Sequence, residues 1–262
     1  MTEFPTLFVS HGAPNMILHN VPARDFLSRY GDELGRPEAV LVVSAHFETS
    51  APALTTDPNP KMIYDFTGFE PELYEMTYPA PGAPDLAGRA ADLLAAAGFP
   101  AVPARNRGFD HGAWVPLKLL YPKADVPVVE LSVQPRRDAE HHVRVGRAIA
   151  PLRRDGVLIV GSGVLTHNLG EMRRGEYAED APAPDWVVAF GDWMHEKIEA
   201  GAIDELAAYR DKAPHAEKNH PTEEHILPLF TALGAAGVAA RGKRVHSSHS
   251  LGVLQMDAYA FA

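Results

Sequence analysis

Four short runs of apolar, strand-favouring residues punctuate the chain: Thr6–Ser10 (TLFVS), Ala39–Ser44 (AVLVVS), Val126–Val133 (VPVVELSV) and Val157–Val160 (VLIV). Their apolar residues are mostly continuous instead of alternating with polar ones, the pattern of strands covered on both faces. Between them the spacing turns helical. Pro84–Ala97 is rich in Ala and Leu and meets Gly98 as a stop, and Asp185–Ala200 ends before Gly201. Ala139–Arg154 reads the same way. Alternating strands and helices predict an α/β fold: one three-layer domain whose central sheet, mainly parallel or mixed, is flanked by helices.

The stretch from Thr49 to Pro84 breaks this pattern. It holds Pro52, Pro58, Pro60, Pro71, Pro79, Pro81 and Pro84, interleaved with Tyr64, Phe66, Phe69, Tyr74 and Tyr78. Proline at that density opposes regular elements and predicts an ordered loop. Its aromatics suit a segment packed over the sheet or over a ligand.

With 262 residues the chain can bury a large core without staples, hiding about three quarters of its unfolded surface. No linker divides it, so residues 1–262 are expected to form a single domain. Apolar residues make up 46% and charged ones 22%, both ordinary for a folded cytosolic protein. The 24 basic and 34 acidic residues leave a formal charge of −10, and no basic face is concentrated anywhere, which argues against a nucleic-acid partner. The absence of cysteine excludes disulfide scaffolds, thiolate metal sites and thiol nucleophiles. The stretch Met1–Pro5 lacks the basic start and apolar core of a signal peptide, and no apolar run approaches the roughly 20 residues that span a bilayer. No membrane partner is expected, and the cytoplasm is the expected location.

Thirteen histidines occur, and three stand in equivalent places. His11 directly follows the first strand run, His46 follows the second by one residue, and His167 follows the fourth after a small-residue passage, Gly161-Ser162-Gly163. Ligands of open parallel sheets bind beyond the carboxyl ends of the strands, so these side chains are expected to meet at one edge, where the active site should lie. Imidazole is both a common metal ligand and a proton shuttle near neutral pH. Other signatures are missing: His195-Glu196 lacks the second histidine of the zincin helix, and neither a Gly-x-Ser-x-Gly elbow nor a phosphate-cradling loop occurs. His141, His142 and His195 lie in helical patterns and read as surface residues, while the role of His246 and His249 is open.

Five ordered motifs carry a family resemblance. They are Ser10-His11-Gly12-Ala13-Pro14, Ser44-Ala45-His46-Phe47, Gly108-Phe109-Asp110-His111-Gly112-Ala113-Trp114, Gly161-Ser162-Gly163 through His167-Asn168-Leu169, and Pro221-Thr222-Glu223-Glu224-His225 running to Leu229. Together with Tyr78-Pro79-Ala80-Pro81-Gly82 they resemble the extradiol aromatic ring-opening dioxygenases of the DOPA-dioxygenase type, related to the catalytic subunit of protocatechuate dioxygenase. The resemblance spans the chain from His11 to Leu254.

It implies a metal held by His11, His46 and His225, with His167 as acid–base residue or further ligand and His111 close to the substrate. It implies a small aromatic diol and dioxygen as substrates, and Tyr78 as a candidate wall of the substrate site. The oligomeric state stays open, a homodimer included. The broader class has a glutamate at the third ligand position, where this chain has His225 preceded by Glu223 and Glu224. His220 competes for that position, and the family pattern favours His225. Three neutral imidazoles also make a good zinc site, so the metal is expected to be iron(II) for turnover, with zinc compatible with the isolated protein. Thr222 with two acids after it resembles a helix start that would put His225 in the first turn. Pro228 is compatible with a later start that has the proline in its own first turn. Lys61, Arg105 and Arg107 are candidates for a substrate carboxylate. Two rival readings remain: a zinc hydrolase of a small ester or amide, and a non-catalytic metal-binding protein on the same scaffold.

Overall fold

The computed structural model describes residues 3–175 and 177–262; Met1, Thr2 and Glu176 lie outside them. Its strands are β1 (Thr6–Ser10), β2 (Ala39–Glu48), β3 (Ala53–Thr55), β4 (Val102–Ala104), β5 (Val128–Val133), β6 (Val157–Gly163), β7 (Gly242–His246), β8 (His249–Ser250), β9 (Leu254–Gln255) and β10 (Ala258–Phe261). Eight of them form one sheet in the order β4-β3-β5-β2-β6-β1-β10-β7, while β8 and β9 pair separately. The centre, β5-β2-β6-β1, is parallel. β3 is antiparallel to β5, and β10 runs antiparallel to both β1 and β7, so the sheet is mixed.

Continuous apolar runs now have their cause. Leu41, Val43, Val157 and Ile159 face one core, and Val40, Val42, Leu158 and Val160 face the other. Helices Pro84–Ala96, Ala139–Ile149, Asp185–Ala200 and Leu227–Ala236 cover the first face; Pro22–Leu34 and His111–Leu120 cover the second. The α/β three-layer expectation is met.

Several boundaries differ from expectation. β2 runs on to Glu48 and carries His46 within the strand, and β6 runs on to Gly163. The helix from Ala139 ends at Ile149 and tightens to a 3₁₀ turn over Ala150–Asp155, because Pro151 has no N–H to continue the ladder. The proline-rich segment is an ordered loop, but it also supplies β3 and a short helix, Pro71–Glu75, opening on proline at its first position. His142 is a correction: it is buried, its Nδ1 donating to the Asp138 carbonyl at 2.8 Å and its Nε2 accepting from the Gln134 N–H at 3.1 Å. No helix among the described residues is long and apolar enough to cross a membrane.

Candidate active site

Five histidines gather at the carboxyl edge of the sheet. His11 leaves the end of β1, His46 sits near the end of β2, and His167 follows β6. His111 opens the helix His111–Leu120, and His225 stands just before Leu227–Ala236. Ring centroids are 5.0 Å apart for His11 and His46, 5.5 Å for His11 and His225, and 4.9 Å for His46 and His225. His111 lies 3.9 Å from His46 and 5.3 Å from His11. His167 stacks on His225 at 3.6 Å and 15°.

A proline sets the state of His11. Pro116 lies inside its helix and has no N–H to offer the Gly112 carbonyl four residues back. Ser162 fills the gap, donating its hydroxyl to Gly112 O at 2.5 Å. A hydroxyl has one proton, so at its 3.0 Å contact with His11 Nδ1 Ser162 accepts. His11 therefore carries its proton on Nδ1 and presents a bare Nε2, 3.0 Å from Nε2 of His46. Two carboxylates act alike elsewhere. Asp65 Oδ1 accepts from His111 Nδ1 at 2.9 Å, and Glu224 Oε1 accepts from His225 Nδ1 at 3.0 Å. Each leaves the second ring nitrogen unengaged.

Burial dominates the electrostatics. It lowers His11 and His225 well below the ordinary imidazole range, aided by the neighbouring histidines. It takes His46 to about 3, with His111 next in effect, and His167 to about 4, with Glu224 opposing. Burial raises Asp65, yet its hydrogen bonds from the side chain and backbone of His111 outweigh it and hold that carboxyl at about 2. His11, His46, His167 and His225 are thus neutral at pH 7, so no proton has to leave these rings before a metal binds.

The buried histidines also bear on stability. His220 is lowered to about 3 and His142 to about 4, in both cases chiefly by burial, from 6.5. Above pH 6.5 neither folded nor unfolded chain binds these protons. Below it the unfolded chain takes up protons that the folded chain refuses until about pH 4 or 3. Stability of the metal-free protein is therefore expected to fall as pH drops from 6.5, by about 1.4 kcal/mol per pH unit for each such histidine. Urea denaturation at stepped pH checks this; a flat profile would mean that the folded state accepts the protons.

The donor set fits a divalent ion. Nitrogens bound to one ion at about 2.1 Å lie about 3.0 Å apart at right angles and about 3.4 Å apart in a tetrahedron. The 3.0 Å between His11 and His46 matches the former. Two separate groups have ligand atoms within 4.8 Å of one another: His11, His46 and His111, and His167, Glu224 and His225.

Other expected residues are placed elsewhere. Tyr78 is a correction: it is buried in the core, and its hydroxyl donates to the Tyr121 carbonyl. That point lies past the far end of the helix opened by His111, about 14 Å of helix away. Phe66 is the loop aromatic beside the site, 5.7 Å from the His111 ring. His220 is buried with its Nε2 donating to Leu165 O at 2.8 Å, and it joins neither of the two groups of clustered ligand atoms. Arg107 donates to Asp110 Oδ2 at 2.7 Å and stacks over Phe47, while Lys61 and Arg105 are exposed. Asp65 and Ser162 were missed as functional residues, since neither bears a local signal beyond its neighbours in sequence.

Comparison with known proteins decides the family. Residues 20–261 match the family described as the catalytic LigB subunit of aromatic ring-opening dioxygenase. The chain belongs to this family. A 4,5-DOPA dioxygenase extradiol from Beta vulgaris is 42% identical, with 98% of this chain and 96% of that protein covered. One of the same name from Escherichia coli K12 is 38% identical over 89% and 86%. A crystal structure of an uncharacterized Escherichia coli K12 protein superposes with a TM-score of 0.78 at 31% identity, covering 98% of this chain and 99% of that one. As a LigB-type ring-opening dioxygenase, the chain is a metal-dependent oxidoreductase, the extradiol class expected from its motifs. The hydrolase and binding-only readings gain no support from these matches.

Proposed function

We propose that this single-domain chain, residues 1–262, opens the ring of a small catechol of the DOPA type, using one divalent metal held by His11, His46 and His225. The observation that carries the ligand set is the spacing of those three rings. Imidazoles bound radially to one ion put their centroids about 4.5–5.2 Å apart, depending on the angle between them. His46–His225 and His11–His46, at 4.9 and 5.0 Å, fall in that range with planes inclined at 82° and 54°, and His11–His225, at 5.5 Å and 49°, lies just beyond it. His46 and His111, at 3.9 Å, are too close to be radial ligands of one ion. His167 and His225 are stacked nearly parallel, so their in-plane lone pairs lie in separate, nearly parallel planes and do not converge. This supports His111 and His167 as the residues that work beside the metal.

A bound iron(II) ion would supply Lewis acidity to the diol oxygens and a route for electrons to dioxygen; zinc would fit the same nitrogens without the redox capacity. The chain's own part is positioning and proton handling. His167, neutral at working pH, accepts a diol proton and returns one to the product side. His111, held by Asp65 with Nδ1 protonated, faces the substrate oxygens with Nε2. Phe66 and its aromatic neighbours Phe69 and Tyr74 wall the substrate side. We place the protein in the cytoplasm.

The test is iron(II) reconstitution without air, then oxygen uptake against catechols including DOPA and protocatechuate. A yellow ring-opened product with matching oxygen consumption is expected. His167→Ala is expected to retain metal and lose turnover by at least about 100-fold. Turnover without oxygen consumption, or metal loss in this variant, would overturn the assignment.

A further inference from the structure

We propose that Asp65 is a positioning residue with two separate tasks: its Oδ1 holds His111 with the proton on Nδ1, and its Oδ2 orients His46 toward the metal. The proposal rests on His46 being a ligand, as argued above.

Three contacts carry it. Asp65 Oδ1 accepts from the His111 backbone N–H at 3.1 Å and from its Nδ1 at 2.9 Å. Oδ2 lies 3.6 Å from Nδ1 of His46. An ionised carboxylate can only accept, so Nδ1 of His111 carries a proton and Nε2 is the nitrogen left to face the site. The same carboxylate favours His46 with a proton on Nδ1, and so a lone pair on the Nε2 that faces His11.

Backbone registry explains how a loop residue reaches this place. Ile63 N–H donates to Phe109 O at 2.7 Å and Phe109 N–H to Lys61 O at 2.8 Å, strapping the loop to the chain before His111. The Trp114 indole adds a bond to Ile63 O at 3.3 Å. Two residues beyond that strap on each side, Asp65 meets His111. The aromatic loop and the metal centre are therefore joined at one carboxylate. Among the described residues no Lys or Arg pairs with Asp65, so its charge is directed at the two histidines. It supplies, at second hand, negative charge that a site of three neutral imidazoles lacks.

Asp65→Asn and Asp65→Ala separate the two tasks. The asparagine carbonyl still serves the two His111 N–H donors, which turns its NH₂ group toward His46 Nδ1–H, donor against donor. In metal-free protein, imidazole ¹⁵N NMR is expected to show His111 with Nδ1 protonated in the wild type and in Asp65→Asn, and a tautomer mixture in Asp65→Ala. Zinc affinity by calorimetry is expected to fall about 10-fold or more in both variants. Wild-type zinc affinity in Asp65→Asn would overturn the His46 task, and an unchanged His111 tautomer in Asp65→Ala would overturn the other. Should Asp65→Ala fail to fold, zinc affinity of Asp65→Asn alone decides. A wild-type protein that binds no single zinc ion would instead sink the ligand set, while the NMR result would stand on its own.

Discussion

His46→Ala is expected to empty the metal site. His46 is the proposed ligand whose Nε2 lies 3.0 Å from that of His11, and its removal would leave two of the three proposed nitrogens. Loss of a partner that merely supports a ligand costs about 10–100-fold in affinity, and loss of the ligand itself is expected to exceed 100-fold. His225→Ala should lose metal to a similar degree, whereas His111→Ala should keep it. Metal analysis of the three purified variants, with zinc titrations and thermal melts with and without metal, checks the ordering. If His111→Ala lost metal and His225→Ala kept it, the third ligand would be His111, whose ligand atom lies within 4.8 Å of those of His11 and His46.

The second large effect comes from a residue with no side chain. A Cβ on Gly163 would lie 2.0 Å from the carbonyl oxygen of His225, backbone against backbone. β6 is hydrogen-bonded between β1 and β2 and cannot retreat, so the segment carrying His225 must move. That movement breaks the 3.0 Å bond from Val164 N–H to His225 O and pulls the imidazole away from its partners. Gly163→Ala is expected to cost about 3 kcal/mol of stability and to weaken zinc binding. Gly88→Ala is the control: nothing lies within 4 Å of its Cβ, and an alanine in that helix is expected to gain about 0.5–1 kcal/mol. Urea denaturation measures both. Equal stability of Gly163→Ala and wild type would mean that the His225 segment is free to shift.

Much of the site was legible because strand ends are legible. Where a run such as AVLVVS stops being apolar, the sheet has reached its edge, and a histidine there faces the cleft; His11, His46 and His167 were found this way. His111 and His225 open or precede helices and carry no such periodic mark, so the ordered family motifs supplied them. Tyr78 misled because an aromatic among prolines gives the same signal whether it walls a ligand or fills the core. His220 and His225 lie five residues apart, and only the fold brings the ring of His225 into the cluster while His220 turns its Nε2 to Leu165 O.

The sequence by itself determined the layered α/β architecture and the clustering edge, because both follow from which residues leave water, and burial is written in hydropathy along the chain. The tertiary structure alone decided which nitrogen of each ring is free. Those choices depend on directed hydrogen bonds between residues remote in the chain: His11 with Ser162 across 151 positions, His111 with Asp65 across 46. A periodic pattern records how deeply a side chain is buried, but the direction of a lone pair exists only once its partner has been folded against it.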